Sequence, residues 1–312
     1  MNHAMKKYLF YVFVILLFLA GIGLLLYPTI SDYVNSVHQA RKISNYTESV
    51  TQLEQDIYAQ LWKDAMEYNR SLPTGSDQPI LSGSHRESYP SLLDVNGSGI
   101  LGYIEIPGIQ CSLPICHGVD PDVLKTAVGH MEGTSLPTGG ETTHCVLSAH
   151  RGLPSAKLFT DLDQVEKGDL FMLQVLDKTL TYEVDQILIV EPHELDALAI
   201  IEGEDLCTLV TCTPYGVNSH RLLVRGHRIE FPETAPAVHI TTDAMQIHPA
   251  LVISAAAFPM LLIFLVARTP LRRQSCGRRH KTKGSDTLLH RWKSPQVPHT
   301  YRQVACHPVN NS

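Results

Sequence analysis

The hydrophobic pattern places two long apolar runs near the ends of the chain and a mixed region between them. The first run covers residues 8–27 without a charge, and the second covers residues 250–267 and is interrupted by Pro259. As a helix, each can cross a hydrocarbon core about 30 Å thick. The first run is long for a signal peptide and lacks an Ala-x-Ala-like site, so it favours an uncleaved anchor over a cleaved leader.

The region after the first run changes to an amphipathic pattern. Apolar residues recur there at intervals of three and four, with polar residues between them. The apolar residues are Val50, Leu53, Ile57, Leu61 and Ala65. This spacing predicts a helix over residues 31–70 with one buried face. Pro and Gly are frequent in residues 71–84, which predicts a loop that separates this helix from the core or covers the core.

Short β-rich runs dominate the chain from about Gly99 onward. Two short helical patches, at 120–126 and 156–161, are the main interruptions, so strands mostly follow strands and the sequence predicts an antiparallel barrel or sandwich. The predicted strands cover residues 102–106, 111–116, 144–148, 170–175, 180–190, 206–212 and 221–231.

Charge is distributed unevenly between the middle of the chain and its end. Residues 29–249 hold 13 Lys and Arg against 30 Asp and Glu, a formal charge of −17, whereas residues 268–312 hold 10 against 1, a charge of +9. Basic residues outside both apolar runs predict two membrane spans with both termini in the cytoplasm and the middle outside. The basic tail has few aromatic residues for stacking on bases, so attraction to anionic lipid is favoured over nucleic-acid binding.

Five of the seven cysteines fall in the predicted external region, at positions 111, 116, 145, 207 and 212. An odd number of cysteines in an oxidising compartment leaves at least one thiol unpaired and available for chemistry. Cys111 and Cys116 are five residues apart in a predicted strand, point to opposite faces, and are interpreted as small buried residues.

Candidate chemistry concentrates in residues 208–228, where the apolar run Thr208-Leu209-Val210-Thr211 ends at Cys212. Pro214, Gly216 and Asn218 then predict a turn, so the thiol lies at the end of a strand. Strand alternation puts Arg221 on one face with Arg225, and Arg221 lies beside Cys212 if the intervening Leu222 and Val224 face the core. Arg225 is the alternative to Arg221 because it shares this face.

A thiol with a pKa near 8.5 needs a basic or cationic neighbour to react at neutral pH. Among 16 histidines, His150 ends an apolar stretch just before a turn and is the chosen partner of Cys212. His144 is interpreted as a structural residue, and so is His220. A zinc site built from these histidines and Cys145, Cys207 or Cys212 is the rival chemistry, but no paired metal-ligand spacing supports it.

These motifs resemble the sortase family, and within it the pilus-assembling class C branch. The resemblance rests on TLVTC followed by TPYGVNSHRLLVRGHR, and on the upstream segment ending in SAHRGLPSAKLFTDLD. It implies a mainly β fold: a closed eight-stranded barrel with short helices, an N-terminal amphipathic helix and two flanking transmembrane helices. It also implies that Cys212 is the nucleophile, His150 the proton donor and acceptor, and Arg221 the oxyanion or substrate-positioning residue.

The same resemblance implies cleavage of an LPxTG-like sorting signal through a Cys thioester and transfer to a Lys amine of a pilin subunit, without cofactor or metal. Class C enzymes usually carry a lid with an Asp-Pro-aromatic motif. The nearest segment here is Asp77-Gln78-Pro79-Ile80, which departs from that motif and makes Asp77 a weakly matched lid residue. A non-catalytic membrane scaffold for pilins and a hydrolytic cysteine peptidase are the alternative functions.

The predicted organisation therefore has eight segments. They are a cytoplasmic N-terminus (1–7), a membrane anchor (8–28), an extracellular amphipathic helix (29–70), a loop or lid region (71–98), the catalytic barrel (99–232), a linker (233–249), a second membrane helix (250–267) and a basic cytoplasmic tail (268–312).

Overall fold

The computed structural model describes residues 3–75 and 88–230. Asp77 and the predicted second membrane helix, linker and basic tail lie outside these residues. Two helices precede the barrel: α1 (His3–Thr51) and α2 (Gln55–Arg70). The helix predicted over 31–70 is therefore two helices separated by three residues, and α1 also includes the apolar run and continues through Pro28.

Eight strands form a closed barrel, as the resemblance predicted. The order around it is β1-β2-β3-β4-β7-β8-β6-β5, closed by antiparallel pairing of β1 with β5. The pairs β2–β3 and β4–β7 are parallel, and the other neighbours are antiparallel. The strands are β1 (Ile100–Ile106), β2 (Cys111–His117), β3 (Val128–His130), β4 (Thr143–Ser148), β5 (Leu170–Val175), β6 (Lys178–Val190), β7 (Asp205–Thr213) and β8 (His220–Ile229).

Seven of these strands match the predicted runs, and β3 has no counterpart among them. Of the two predicted helical patches, the first contains the short helix α3 (Pro121–Leu124). The prediction of a helix over 156–161 is wrong, because these residues form turns and an isolated bridge joins Leu153 to Ala156. A single 3-10 turn, Leu162–Gln164, follows them.

Alternate residues of the strands fill the barrel and form the main core, to which β7 contributes Cys207 and Leu209 and β8 contributes Leu222 and Val224. A smaller cluster covers part of the outer face and contains Val146, Leu198, Val210 and Leu223. This division follows the period of two in a strand. It fixes which residues at the ends of β4, β7 and β8 point outward.

The part of α1 that follows the apolar run packs on the barrel through a buried tyrosine. The Tyr46 hydroxyl donates to the Leu101 carbonyl (2.9 Å) and accepts from the Leu176 amide (2.8 Å), and its side chain is 1% exposed. Further toward the N-terminus, the Gln39 side-chain amide donates to the Thr126 carbonyl at 2.9 Å. These bonds satisfy backbone groups of the barrel that burial would otherwise leave unpaired.

The N-terminal part of α1 is long and apolar enough to cross a membrane. Its most apolar window of 18 residues has a mean hydropathy of 2.9, and the protein buries none of it. A fully exposed apolar helix of this length is typical of a membrane span.

Candidate active site

Cys212 and Arg221 meet at the end of the antiparallel pair β7–β8. Their Cα atoms are direct partners in the register, followed by Thr213 opposite His220 at the end of the ladder. Since Val210 and Leu223 lie on the outer face and Leu222 in the core, alternation puts Cys212 and Arg221 on the outer face together. This is the arrangement that the sequence pattern predicted.

His150 approaches Cys212 from the other side of β7. The parallel pair β4–β7 ends at Ser148 opposite Val210, and His150 and Cys212 each follow two residues further along the chain. Two hydrogen bonds extend the pairing past the strand end: the Ala149 amide donates to the Val210 carbonyl (3.1 Å), and the Thr211 hydroxyl donates to the Ala149 carbonyl (2.9 Å). Cys212 therefore lies on the strand between β8, which carries Arg221, and β4, which His150 follows.

Cys212 is a free cysteine and is half-buried. The side chains of His150 and Arg221 are also half-buried. One guanidinium nitrogen of Arg221, Nη1, donates to the carbonyls of His220 (3.1 Å) and Asn218 (3.3 Å). These bonds hold the guanidinium against the β7–β8 turn. A cation held beside a thiol favours the thiolate and can stabilise a developing oxyanion.

Arg225, the alternative to Arg221, is engaged elsewhere. Its Nε and Nη2 donate to the two carboxylate oxygens of Asp185 at 3.1 and 2.6 Å. This guanidinium holds the pKa of Asp185 below its usual value despite the opposing effect of burial. A bidentate pair of this kind fixes both side chains, and of these two arginines Arg221 is the cross-strand partner of Cys212.

The other histidines considered from the sequence are occupied in the structure. The ring of His144 is buried, with Nδ1 2.8 Å from the Ala199 carbonyl and Nε2 2.7 Å from the Thr208 hydroxyl. Burial lowers the pKa of His144 to about 4, so the ring is neutral. His220 lies 3.2 Å from Glu191 and pairs with Thr213. Among residues 3–75 and 88–230, no group of three His, Cys, Asp or Glu side chains has the geometry of a metal site.

Sequence reasoning missed Arg151, which joins the loop after His150 to the end of β7. Its guanidinium forms an ion pair with Asp163, donates to the Thr213 hydroxyl at 3.4 Å, and lies 5.9 Å from the centre of the Tyr215 ring. The side chain is only 9% exposed. The position of Arg151 directly after the candidate histidine was the available signal in the sequence. Its partners could not be identified from it, because Asp163 and Thr213 lie 12 and 62 residues away.

Gly152 allows this close packing of the two loops. Its φ is +74°, and a Cβ at this position would lie 2.8 Å from Cε2 of Tyr215. A side chain would therefore meet both a backbone conformation that L residues rarely adopt and the tyrosine ring.

A family model described as the sortase domain matches residues 104–229. Among solved structures, sortase C1 from Streptococcus agalactiae is 46% identical, with a TM-score of 0.57, over 62% of this chain and 100% of its own. Sortase C from Streptococcus pneumoniae is 43% identical, with a TM-score of 0.56, over 61% of this chain and 97% of its own. Sortase C-1 from Actinomyces oris is 44% identical, with a TM-score of 0.52, over 55% and 99%.

Two curated relatives are also sortases, at lower sequence identity. Sortase D from Bacillus subtilis is 31% identical over 131 residues, and sortase A from Streptococcus agalactiae is 29% identical over 155 residues. The chain spans 63% and 62% of the length of these two relatives. The protein belongs to the sortase family. Its solved relatives named above are sortases of class C.

Proposed function

We propose that the protein is a membrane-anchored cysteine transpeptidase that cleaves an LPxTG-like sorting signal and transfers the acyl group to a Lys amine of a pilin subunit. The observation that carries this proposal is that Cys212 on β7 lies opposite Arg221 on β8, while His150 lies two residues beyond the end of β4 on the other side of β7. A pilin substrate is supported by the similarity to sortase C from Streptococcus pneumoniae, whose crystal structure was described as giving insights into pilin substrate specificity.

In the first step, the Cys212 thiolate attacks the carbonyl carbon of Thr in the sorting signal. The C–S bond forms, the Thr–Gly C–N bond breaks, and the leaving Gly amine takes a proton from the His150 imidazolium. Negative charge develops on the carbonyl oxygen as the tetrahedral intermediate forms, and Arg221 stabilises it. The product is a thioester, which divides a difficult acyl transfer into two easier steps.

In the second step, the Lys amine of the next pilin attacks the thioester. Its proton passes to the neutral His150, the C–S bond breaks, and Cys212 leaves as the thiolate. The enzyme returns to its starting protonation state, so one imidazole serves as acid and then as base.

The apolar part of α1 supports membrane anchoring, with the barrel outside and the N-terminus in the cytoplasm. The second span at 250–267, the cytoplasmic basic tail that attracts lipid, and a lid containing Asp77 complete the proposal; these rest on the sequence pattern alone.

The test uses the full chain in nanodiscs with an LPxTG-containing peptide and a Lys-containing pilin fragment. Mass spectrometry should detect an acyl adduct at Cys212 and an amide-linked product, and Cys212→Ala should form neither. A product that stays a free acid in the presence of the amine would favour the hydrolytic peptidase. No adduct with the wild-type protein would favour the scaffold.

A further inference from the structure

The chain between His150 and Phe159, called here the His150 loop, connects β4 to the 3-10 turn at Leu162–Gln164. The Phe159 amide donates to the His150 carbonyl at 3.2 Å, and the Gly152 amide donates to the Thr160 hydroxyl at 3.1 Å. The two ends of the loop are thereby joined. Displacement of its outer part would therefore be transmitted to the backbone of His150.

Helix α1 contacts the outer part of this loop through two side chains. The carboxylate oxygen Oδ1 of Asp32 accepts a hydrogen bond from the Lys157 amide at 2.7 Å. The side-chain amide of Asn35 donates to the Ser155 carbonyl at 2.6 Å. Residues three apart lie on the same face of a helix, so both contacts come from one surface of α1. Both bonds are made to backbone atoms, and they fix the path of the loop.

The helix that makes these contacts is the same one that carries the apolar run. Asp32 lies five residues after Tyr27, the last residue of that run, which corresponds to roughly 8 Å along a helix axis. Further along, α1 is fastened to other parts of the barrel through Gln39 and Tyr46. Asp32 and Asn35 are therefore not needed to dock the helix, and their effect on the loop can be tested separately.

We propose that Asp32 and Asn35 are positioning residues: the first turns of the anchor helix beyond its apolar run hold the His150 loop and thereby set the imidazole relative to the sulfur of Cys212. The inference rests on the proposed role of His150. It gives the turn of α1 that carries Asp32 and Asn35 a positioning role in addition to membrane anchoring. A displacement of about 1 Å in such a group can cost up to a hundredfold in rate.

The variants at Asp32 and Asn35 each remove or keep one defined hydrogen bond between α1 and the loop. Asp32→Ala removes the acceptor, whereas Asp32→Asn keeps an oxygen acceptor and removes only the charge. Asn35→Asp is isosteric but removes the donor and sets a carboxylate against the Ser155 carbonyl. Gln39→Ala is the matched control, because it removes a side-chain bond from the same helix to a backbone carbonyl outside the loop.

Two readouts on the full chain in nanodiscs test the inference. For Asp32→Ala combined with Asn35→Asp, we expect kcat to fall about tenfold with KM within about twofold. The pH profile of Cys212 alkylation by iodoacetamide, followed by peptide mass spectrometry, should shift, since this profile reports the thiol with its imidazole neighbour. Asp32→Asn and Gln39→Ala should match the wild type in both measurements.

The inference is overturned if the double variant behaves like Gln39→Ala, or if Asp32→Asn loses as much as Asp32→Ala. If the double variant unfolds, Asp32→Ala against Asp32→Asn gives the same test with one bond removed. The alkylation profile does not require turnover. A wild-type protein that never transfers an acyl group would therefore refute the proposed function, while a shifted profile in the variants would still support the positioning role.

Discussion

Cys212 and Arg221 are direct cross-strand partners at the last positions but one of the β7–β8 ladder. Neither residue can leave the other's vicinity without loss of strand pairing, because both belong to the barrel itself. The third group, His150, lies just beyond the end of β4 and depends on a loop for its position. The proposed site therefore combines a rigid pair with one adjustable member, and this difference determines which substitutions should affect rate and which should affect stability.

Arg221→Ala should lower the rate of thioester formation by about a hundredfold, the range found when one oxyanion donor is removed. Arg221→Lys should recover only part of the loss, because an ammonium cannot reproduce the planar guanidinium that bonds the carbonyls of His220 and Asn218. The measurement is single-turnover acylation by a sorting-signal peptide.

The control for this prediction is Arg225→Ala, on the same face of β8. This arginine bonds to Asp185, so its loss should reduce thermal stability and leave acylation within a few-fold of wild type. If Arg225→Ala lowers acylation as much as Arg221→Ala, the assignment of Arg221 is wrong.

Gly152→Ala should lower stability by about 1–2 kcal/mol, the cost of a left-handed backbone conformation for an L residue, and should also lower kcat. The added methyl displaces Tyr215 and disturbs the contacts of Arg151 next to His150. Gly203→Ala is matched in backbone strain, since its φ is +81° and a Cβ there has no neighbour within 4 Å. It should lose similar stability and keep the wild-type kcat. Equal kcat values for the two variants would contradict the prediction.

Most of the barrel could be predicted from alternation and turn residues, because seven strands are long enough to show a period of two. Strand β3 could not, since it has three residues and is specified by its pairing with β2 and β4. The helix expected over 156–161 failed for a related reason. Local propensity favoured it, but the Lys157 amide of this segment bonds to Asp32, 125 residues earlier, and the carbonyl of the preceding Ser155 bonds to Asn35, 120 residues earlier.

The candidate site likewise has one part that the sequence predicts and one part that it does not. The neighbourhood of Cys212 and Arg221 follows from local sequence, since eight residues with one turn connect them. The partners of Arg151 and the contacts of the His150 loop are long-range, and no pattern near them in sequence indicates the partner. These contacts can be identified only from the three-dimensional structure.

Tyr46→Phe should destabilise the protein by about 1–3 kcal/mol, the cost of leaving buried backbone groups unpaired. The hydroxyl serves both the Leu101 carbonyl and the Leu176 amide, and the site is buried. Tyr58→Phe is the control, because its hydroxyl bonds to Asp177 at an exposed position. Thermal unfolding of the full chain should show the larger loss for Tyr46→Phe. Equal losses would mean that the hydroxyl of Tyr46 contributes no more than an exposed one.

Stability should fall as the pH is lowered from about 6.5 to about 4, in part because of His144. Burial is the largest effect on this ring and lowers its pKa from 6.5 to about 4, with Arg225 acting in the same direction and the bond to Ala199 opposing them. In this window the unfolded chain binds a proton that the folded protein does not, so acid favours unfolding. A pKa difference of this size corresponds to about 3 kcal/mol for a single group.

His144→Gln, which retains a hydrogen-bonding side chain, should therefore show a shallower fall in melting temperature between pH 7 and pH 4.5. The exposed His193→Gln should keep the wild-type slope. Parallel curves for His144→Gln and the wild type would show that other groups account for the acid sensitivity.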